Sequence, residues 1–534
     1  MTRTIYADGV KKEILQDIYG KIKPHHFLFY GVSGHGKSIA SECVAEKLHQ
    51  KGFLVIVITE KFKNRLEYAF CQFLAEVEHH VKYLEDQGKP QAKKNAIIYA
   101  LYVDNDKYVN KEDPSKKYWD KNIPPMKFFT IDIKNDVTIK LWKILFDTVK
   151  TTESILAVIS CQKELTDNEG CMDLARRCKE KIRKKQLKGT QQNIDEINAV
   201  FEEAFELGIL QPANCKYNYK PDDLLLDQKN YHIFHYGFLP GDSYRKHEYF
   251  AVNCIMQRTI QRYNQLKKFP KYSNKLFPVL WVIQEINIFI PNKPNDDYIR
   301  MSVEIMEENI KQLRSPGHSS LGDAQNIYRT SEGYTESVTD EYLGKLSKMD
   351  VERFSKTAGY NQEQRDRLRN MPQNHYWKGS KGSRDMEKVI LFPGHRHCEP
   401  RKEYFSTFAK EYPDKLRKHK EVHEYMSELS KKQKERHEEY MKELHIKKKE
   451  KDKEKKIKEI EKLAKTEEEK EELKEKLKET EKKHDKELFI KIYLESKLNP
   501  DNEKGKSWVQ LGKDNEISDK TAKDYAKQGR DLVK

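Results

Sequence analysis

The sequence predicts an α/β fold built on a parallel sheet, because strand-like and helix-like segments alternate near its start. Residues 26–30 form a short apolar run, residues 38–50 carry a helical pattern, and residues 53–59 are rich in Val and Ile. Strands that are continuously apolar are typical of parallel sheets, which helices cover on both faces. We therefore expect a helix-covered sheet in which residues 26–30 form an early strand.

A glycine-rich loop joins this predicted strand to the predicted helix. Residues 31–38 satisfy the pattern G-x-x-x-x-G-K-[ST], in which glycines let consecutive backbone N–H groups turn toward phosphate oxygens. The helix that follows directs the positive end of its dipole at the same point. The residues expected to surround the phosphates are Gly31, Val32, Ser33, Gly34, His35, Gly36, Lys37, Ser38 and Ile39.

Two side chains of this loop have defined roles in phosphate binding. Lys37 supplies a positive charge to the β- and γ-phosphates, and the Ser38 hydroxyl can ligate Mg²⁺. The sequence therefore predicts a site for a nucleoside triphosphate, ATP together with Mg²⁺.

A second apolar strand ends in polar residues that suit ATP hydrolysis. Residues 278–283 lead into Gln284 and Glu285, which are expected at the carboxyl edge of the sheet beside the phosphates. Glu285 is the predicted acceptor of a proton from the attacking water. Gln284 stands where an aspartate normally holds a magnesium-bound water, so either Mg²⁺ binds more weakly or another carboxylate assists. The alternative is an ordinary buried strand that ends in surface residues.

Two stretches beyond the loop resemble a known family of ATPases. VLWVIQEINIFIPN at residues 279–292 and IKQLRSPGHSSLGDAQNI at residues 310–327 resemble the HerA/FtsK superfamily of hexameric DNA-pumping ATPases. The resemblance implies a RecA-like core and ATP hydrolysis coupled to DNA movement. It also implies a homo-oligomeric ring, such as a hexamer, with DNA as the partner.

The resemblance assigns roles to individual residues. Glu285 matches the family's catalytic glutamate, whereas Gln284 departs from its aspartate. Gln325 matches the polar residue that senses the γ-phosphate, with Ala324 in place of the usual hydroxyl residue. Arg314 lies where the family often has an arginine that reaches the nucleotide of a neighbouring subunit; an arginine at a helix end is otherwise a surface residue.

Composition and resemblance together divide the chain into four predicted regions. The RecA-like P-loop NTPase core is residues 1–60 and 221–410, and residues 61–220 form a mixed, mostly helical insertion. Residues 411–490 are dominated by alternating charges, which favours a long exposed helix or a coiled coil and a possible contact with a protein partner. Residues 491–534 are predicted to form a small all-α domain resembling a helix-turn-helix.

The formal net charge of +15 and the pI of about 9.0 favour a polyanionic partner, with nucleic acid first. A lysine-rich protein without such a partner is equally compatible with the charge. In the helix-turn-helix interpretation, Asp519, Lys520 and Lys523 would face DNA. The alternative is a helical cap for protein contacts. A basic cluster at residues 176–188 is either a grip on phosphates or an ordinary exposed helix face.

The eight cysteines show no short paired spacing, which indicates reduced thiols of an intracellular protein. The longest apolar runs are too short or too interrupted to span a bilayer. These features predict a cytoplasmic protein without membrane insertion.

Three classes of function fit these features. The first is a DNA translocase or a packaging or transfer motor that hydrolyses ATP as a ring. The second is a nucleotide-dependent switch or loader that binds DNA without moving along it. The third is a scaffold with a degenerate site, which the presence of Lys37, Ser38 and Glu285 argues against.

Overall fold

The chain consists of two compact units, residues 1–430 and residues 431–534. In the first unit the computed structural model describes residues 2–4, 25–59, 75–76, 96–102, 126–235, 245–273, 276–312, 317–380, 387–390, 398–399, 421–422 and 424–430. In the second unit it describes residues 431–443, 446, 454–455, 471, 475, 525 and 527–528, and all of these are helical.

An eleven-stranded, mainly parallel sheet forms the centre of the first unit as described. The strands in chain order are β1 Thr2–Thr4, β2 His26–Tyr30, β3 Leu54–Thr59, β4 Ala75–Glu76, β5 Ala96–Leu101, β6 Met126–Phe129, β7 Ile131–Asp132, β8 Leu210–Gln211, β9 Tyr231–His235, β10 Val279–Ile283, β11 His318–Ala324, β12 Asp340–Leu343, β13 His375–Ser380, β14 Glu387–Ile390 and β15 Cys398–Glu399. Across the sheet the order is β1-β14-β13-β12-β2-β11-β10-β3-β9-β5-β6. Neighbours are parallel except at β12–β13 and β13–β14.

The five central strands, β12-β2-β11-β10-β3, position the candidate site. Ile283 at the end of β10 pairs with Gly322 of β11 and Ile58 of β3, and Ala324 at the end of β11 pairs with Tyr30 at the end of β2. Since these strands are parallel, the residues that follow each of them emerge at one edge of the sheet. The predicted parallel α/β fold is confirmed.

Helices connect the strands. They are α1 Lys37–Gln50, α2 Ile139–Leu145, α3 Glu153–Gln162, α4 Cys171–Arg183, α5 Gln191–Leu207, α6 Pro221–Leu225, α7 Arg245–Lys267, α8 Pro270–Ser273, α9 Ile286–Phe289, α10 Asp297–Gln312, α11 Glu332–Ser337, α12 Lys348–Ala358 and α13 Gln362–Arg369. None of the helices described is both long and apolar enough to cross a membrane.

Side chains that alternate along the central strands build a hydrophobic core on each face of the sheet. Leu54, Ile56 and Ile58 of β3 join one buried cluster, whereas Val55 and Val57 join the other. All five are fully buried, and burying each such side chain contributes about 1.5–3 kcal/mol. The continuous apolar pattern of β3 thus has its expected cause, a strand covered on both faces.

The segment predicted as an insertion is partly a continuation of the sheet. Its strands β5 and β6 extend the sheet beyond β9 in parallel pairs. The helices α2 to α5 lie at residues 139–207 of the same segment. The local sequence pattern of β5 does not predict that this strand belongs to the sheet, because its pairing with β9 joins residues more than a hundred positions apart.

Within the segment predicted as a long charged helix, residues 421–422 and 424–430 of the first unit and residues 431–443 of the second are helical. Val422 and Met426 are buried in the same hydrophobic cluster as Tyr102 and Phe128 at the sheet edge. The segment resembling a helix-turn-helix, residues 507–525, lies outside the described residues apart from its last residue, so it stays a prediction.

Candidate functional site

The loop between β2 and α1 is the centre of the site. Gly34 and Gly36 have φ angles of +77° and +92°, a region that residues bearing a Cβ rarely adopt. The N–H of Gly31 donates to the carbonyl of Ala324 over 3.3 Å, and the N–H of Val32 donates to the carbonyl of Lys345 over 2.8 Å. The loop is therefore anchored to the chain at the ends of both strands that flank β2.

Lys37 opens helix α1 and is almost buried, with 6% of its surface exposed. Its Nζ donates to the carbonyl of Val32 over 3.1 Å, which holds the ammonium group over the loop. Ser38 and Ile39 follow in the first turn of α1, and Ser33 at the tip is exposed. A helix N-terminus and a lysine directed at one loop form a site for phosphate groups.

His35 fixes the loop to two distant segments that sequence analysis did not connect with it. Its Nε2 lies 3.1 Å from the backbone nitrogen of Lys345 and 2.9 Å from the carbonyl oxygen of His375. Burial lowers the pKa of His35; the hydrogen bond to the His375 carbonyl opposes this shift, and the charges of Lys37 and Lys345 add to it. The environment of His35 therefore favours the neutral imidazole.

The same segments approach the loop so closely that glycine is required. A Cβ on Gly344 would lie 2.2 Å from Cδ2 of His35, and a Cβ on Gly36 would lie 2.0 Å from Oδ1 of Asn374. Asn374 itself adopts a φ of +62°, and the neighbouring Gln373 donates from Nε2 to the carbonyl of Gly34 over 3.2 Å. The turn before β13 therefore packs directly on the phosphate loop.

Asp323, which sequence analysis also missed, lies between the loop and the end of β10. It is the second-last residue of β11 and only 1% exposed. Its Oδ2 accepts a hydrogen bond from Oγ of Ser38 over 3.5 Å, and its Oδ1 accepts one from the backbone N–H of Glu285 over 2.5 Å. The pairing of β11 with both β2 and β10 places this carboxylate beside both.

Gln284 and Glu285 leave β10 at the predicted edge. Gln284 is 3% exposed, and its Oε1 has no hydrogen-bond partner among the residues that the structure describes. Glu285 adopts a left-handed conformation with φ of +50°, which costs about 1–3 kcal/mol for a residue other than glycine. The hydrogen bond to Asp323 helps to hold this conformation.

Gln325 follows β11 and meets Glu285 across the edge of the sheet. Its Nε2 donates to Oε1 of Glu285 over 3.3 Å, and its side chain is exposed. The prediction placed both residues near the γ-phosphate, and the strand order brings them together.

The donors around Ser38 suit Mg²⁺. This ion takes oxygen ligands and is usually bound through one or two carboxylates, retained waters and the substrate's phosphates. Ser38 supplies a hydroxyl and Asp323 a buried carboxylate, and Gln284 supplies an orphaned amide oxygen that can accept from a metal-bound water. Buried acceptors normally have a hydrogen-bond partner, and a metal-bound water would supply one for the Oε1 of Gln284.

Two other predicted contacts are those of Arg314 and of the basic cluster at residues 176–188. Arg314 lies outside the described residues, so its role stays a prediction. The basic cluster on α4 is partly neutralised, because Arg177 pairs with Glu169 over 2.6 Å and Arg176 lies 3.6 Å from the same carboxylate. These two arginines are therefore bound to the protein itself.

Comparison with known proteins gives structural neighbours only. No family model and no curated protein matches the sequence. Among solved structures, the chain resembles VirB4 of Thermoanaerobacter pseudethanolicus, with 10% identity, 69% of this chain and 89% of that chain covered, and a TM-score of 0.41. It resembles the plasmid coupling protein TrwB in complex with ADP and Mg²⁺ at 10% identity, with 75% and 92% covered and a TM-score of 0.43.

A third neighbour is the genome packaging NTPase B204 of Sulfolobus turreted icosahedral virus 2, at 8% identity, with 69% and 98% covered and a TM-score of 0.29. These identities and scores assign no role to any residue. The fold rests on the chain's own strand order and on the phosphate loop that follows β2. The chain has the α/β fold of a RecA-like P-loop NTPase.

Proposed function

We propose that the chain hydrolyses ATP with Mg²⁺ and couples hydrolysis to DNA movement as a ring-shaped homo-oligomer. The position of Glu285 is the observation that supports ATP hydrolysis. Glu285 lies at the edge of the sheet that also carries Lys37 and Ser38, linked to Ser38 through Asp323 and hydrogen-bonded to Gln325. This arrangement supplies a phosphate-binding loop after β2 and a carboxylate base after β10, on either side of β11.

The chain's own residues divide the work of hydrolysis. The loop N–H groups and Lys37 bind and orient the β- and γ-phosphates, and the lysine balances the charge that develops during transfer. The Glu285 carboxylate accepts a proton from the attacking water. Gln325 holds Glu285 through its amide group and can instead donate to the γ-phosphate, which would release the carboxylate for catalysis. Mg²⁺, when bound, neutralises phosphate charge.

The DNA part of the proposal rests on the net charge of +15 and on the family resemblance of the sequence. In this account Arg314 of one subunit reaches the nucleotide of its neighbour, so hydrolysis requires assembly. The helix-turn-helix-like segment at residues 507–525 supplies a further DNA contact.

The test is ATP turnover with and without double-stranded DNA, combined with sedimentation to measure the oligomeric state. A ring whose turnover rises with DNA, and whose turnover disappears in Lys37→Ala, supports the motor. A monomer whose turnover ignores DNA contradicts it. A sharper test mixes Arg314→Ala subunits with Glu285→Gln subunits and measures ATP turnover. Turnover should recover in the mixture only if each site is built from residues of two subunits.

The second candidate is a nucleotide-dependent DNA-binding switch or loader. Gln284 favours it, because a neutral residue where a carboxylate is expected is compatible with slow hydrolysis. A switch would show DNA affinity that differs between ATP and ADP, with no displacement of a triplex-forming strand from the DNA. A motor would displace that strand in an ATP-dependent reaction.

A further inference from the structure

We propose that Asp323 is the carboxylate that holds Mg²⁺ in this chain, so that the acidic role expected at the end of β10 has moved to the neighbouring strand β11. The inference rests on the proposed ATPase function and assigns one residue within that site. Gln284, at the expected position, then contributes only a neutral acceptor for a metal-bound water.

Asp323 is buried without a paired cation. The side chain is 1% exposed, and among the residues that the structure describes no lysine, arginine or histidine forms an ion pair with it. A buried carboxylate is costly unless it is paired, hydrogen-bonded or bound to a metal. Its two hydrogen bonds, from a hydroxyl and a backbone N–H, carry no full positive charge.

The carboxylate of Asp323 also lies close to the hydroxyl of Ser38. The Ser38 hydroxyl is the predicted magnesium ligand of the loop, and its oxygen lies 3.5 Å from Oδ2 of Asp323. This is longer than a usual hydroxyl–carboxylate hydrogen bond, about 2.5–2.7 Å. It is close to the separation of adjacent ligands around an octahedral Mg²⁺, roughly 3 Å for bonds of about 2.1 Å. The two oxygens can therefore share one cation or one of its waters.

The adjacent ends of β10 and β11 carry one neutral side chain, Gln284, and one carboxylate, Asp323. Ile283, which precedes Gln284, pairs with Gly322, which precedes Asp323, so the two side chains leave neighbouring strands at the same level. One is neutral and the other is a carboxylate. Two carboxylates here would repel each other, whereas the observed pair keeps a single negative charge. The orphaned Oε1 of Gln284 supplies the remaining acceptor.

The test measures metal binding directly, by electron paramagnetic resonance of Mn²⁺ with ADP and the full-length chain. Asp323→Asn keeps an acceptor for the Glu285 N–H but removes the charge. We expect its Mn²⁺ affinity to fall by about 10–100-fold, while ADP binding in EDTA is unchanged. Asp132→Asn is the matched control, because Asp132 is a buried aspartate of β7 that accepts from the backbone of Lys134 and does not contact the loop.

Exchanging the two side chains completes the test. In Gln284→Asp/Asp323→Asn the charge returns to β10, and Mn²⁺ affinity should recover to within about threefold of the natural chain, as strong coupling between neighbours predicts. Asp323→Asn with unchanged Mn²⁺ affinity would show that Asp323 only holds the backbone of Glu285, which overturns the assignment while ATP hydrolysis stands. A natural chain that binds neither ADP nor Mn²⁺ overturns the proposed function as well.

A single variant covers the case in which Asp323→Asn does not fold. Gln284→Asp in the natural chain adds a carboxylate where Asp323 already supplies one. Mn²⁺ affinity should then change by less than about threefold, because the repulsion between the two carboxylates offsets the gain. A gain of about tenfold or more would mean that the site had lacked its carboxylate, and would overturn the assignment.

Discussion

Gln325 donates a hydrogen bond from Nε2 to Oε1 of Glu285 over 3.3 Å. The two residues follow adjacent parallel strands, β11 and β10, and meet at the edge of the sheet at which β2 also ends. This hydrogen bond joins Glu285, the proposed base, to Gln325, the residue proposed to sense the γ-phosphate. Removing either partner should therefore affect turnover more than nucleotide binding.

Replacing Gln325 by Ala tests this link. ATP turnover should fall by about 10²-fold, because a group that acts only in the transition state is lost, while ATP affinity stays within about threefold. Steady-state turnover and titration with a fluorescent ATP analogue measure the two quantities. Gln362→Ala, on the exposed helix α13, is the control and should change neither. An equal loss of affinity would show that Gln325 binds the ground state instead.

The close contact between Gly344 and His35 predicts a second effect on nucleotide binding. Gly344→Ala places a Cβ 2.2 Å from Cδ2 of His35, so His35 and the loop must shift. ATP affinity should fall by about tenfold or more, since misplaced loop N–H groups no longer converge on the phosphates. Calorimetric titration with ATP measures this.

Gly52→Ala is the matched control for the glycine variant. Gly52 has a φ of +93°, and a Cβ there would meet nothing within 4 Å. The substitution should lower the free energy of unfolding by about 1 kcal/mol through backbone strain and leave ATP affinity unchanged. If both variants weaken ATP binding equally, the contact with His35 is not the cause.

The buried His35 predicts a pH dependence of stability. Burial, with smaller contributions from Lys37 and Lys345, lowers the pKa of His35 below its unfolded value, so the unfolded chain binds the extra proton first. The free energy of unfolding should therefore fall as the pH drops below about 6.5. In His35→Gln this contribution is absent.

Thermal unfolding from pH 5 to pH 7.5 measures the difference between the two chains. The stability advantage of the natural chain over His35→Gln should be largest at pH 7.5 and shrink toward pH 5. Other buried histidines, His232 and His318, also have lowered pKa values through burial, but both chains contain them and their effect cancels. An advantage that grows at low pH would contradict a neutral His35.

Local patterns predicted those parts of the site that lie close together in the chain. The loop pattern at residues 31–38, the apolar run of β10 and the polar residues after it indicated where phosphates and a base would meet. The strand order confirms that Glu285 and Gln325 emerge at the edge that holds the loop. Their catalytic roles remain predictions.

The contacts that sequence analysis missed depend on pairing between distant segments. Asp323 lies in β11, whose residues HSSLGDA lack the continuous apolar pattern of a central strand, so the sequence assigned Gln325 to the site by resemblance but gave Asp323 no role. The feature of the sequence that could have identified Asp323 as a site residue is its position two residues before Gln325. Gly344 and Asn374 contact the loop across more than 300 residues, which no local pattern encodes. Likewise, β5 joins the sheet by pairing with β9, more than a hundred residues away in the chain.

The most direct test of Mg²⁺-dependent hydrolysis at this site is single-turnover ATP hydrolysis by Glu285→Gln, with ATP binding measured in the same samples. The account predicts that ATP and Mg²⁺ still bind, because the loop, Lys37 and Ser38 are intact, and that the hydrolysis rate falls by about 10²–10⁴-fold as the proton acceptor is lost. Hydrolysis at the natural rate in this variant would contradict the account, because Glu285 would then not be the base.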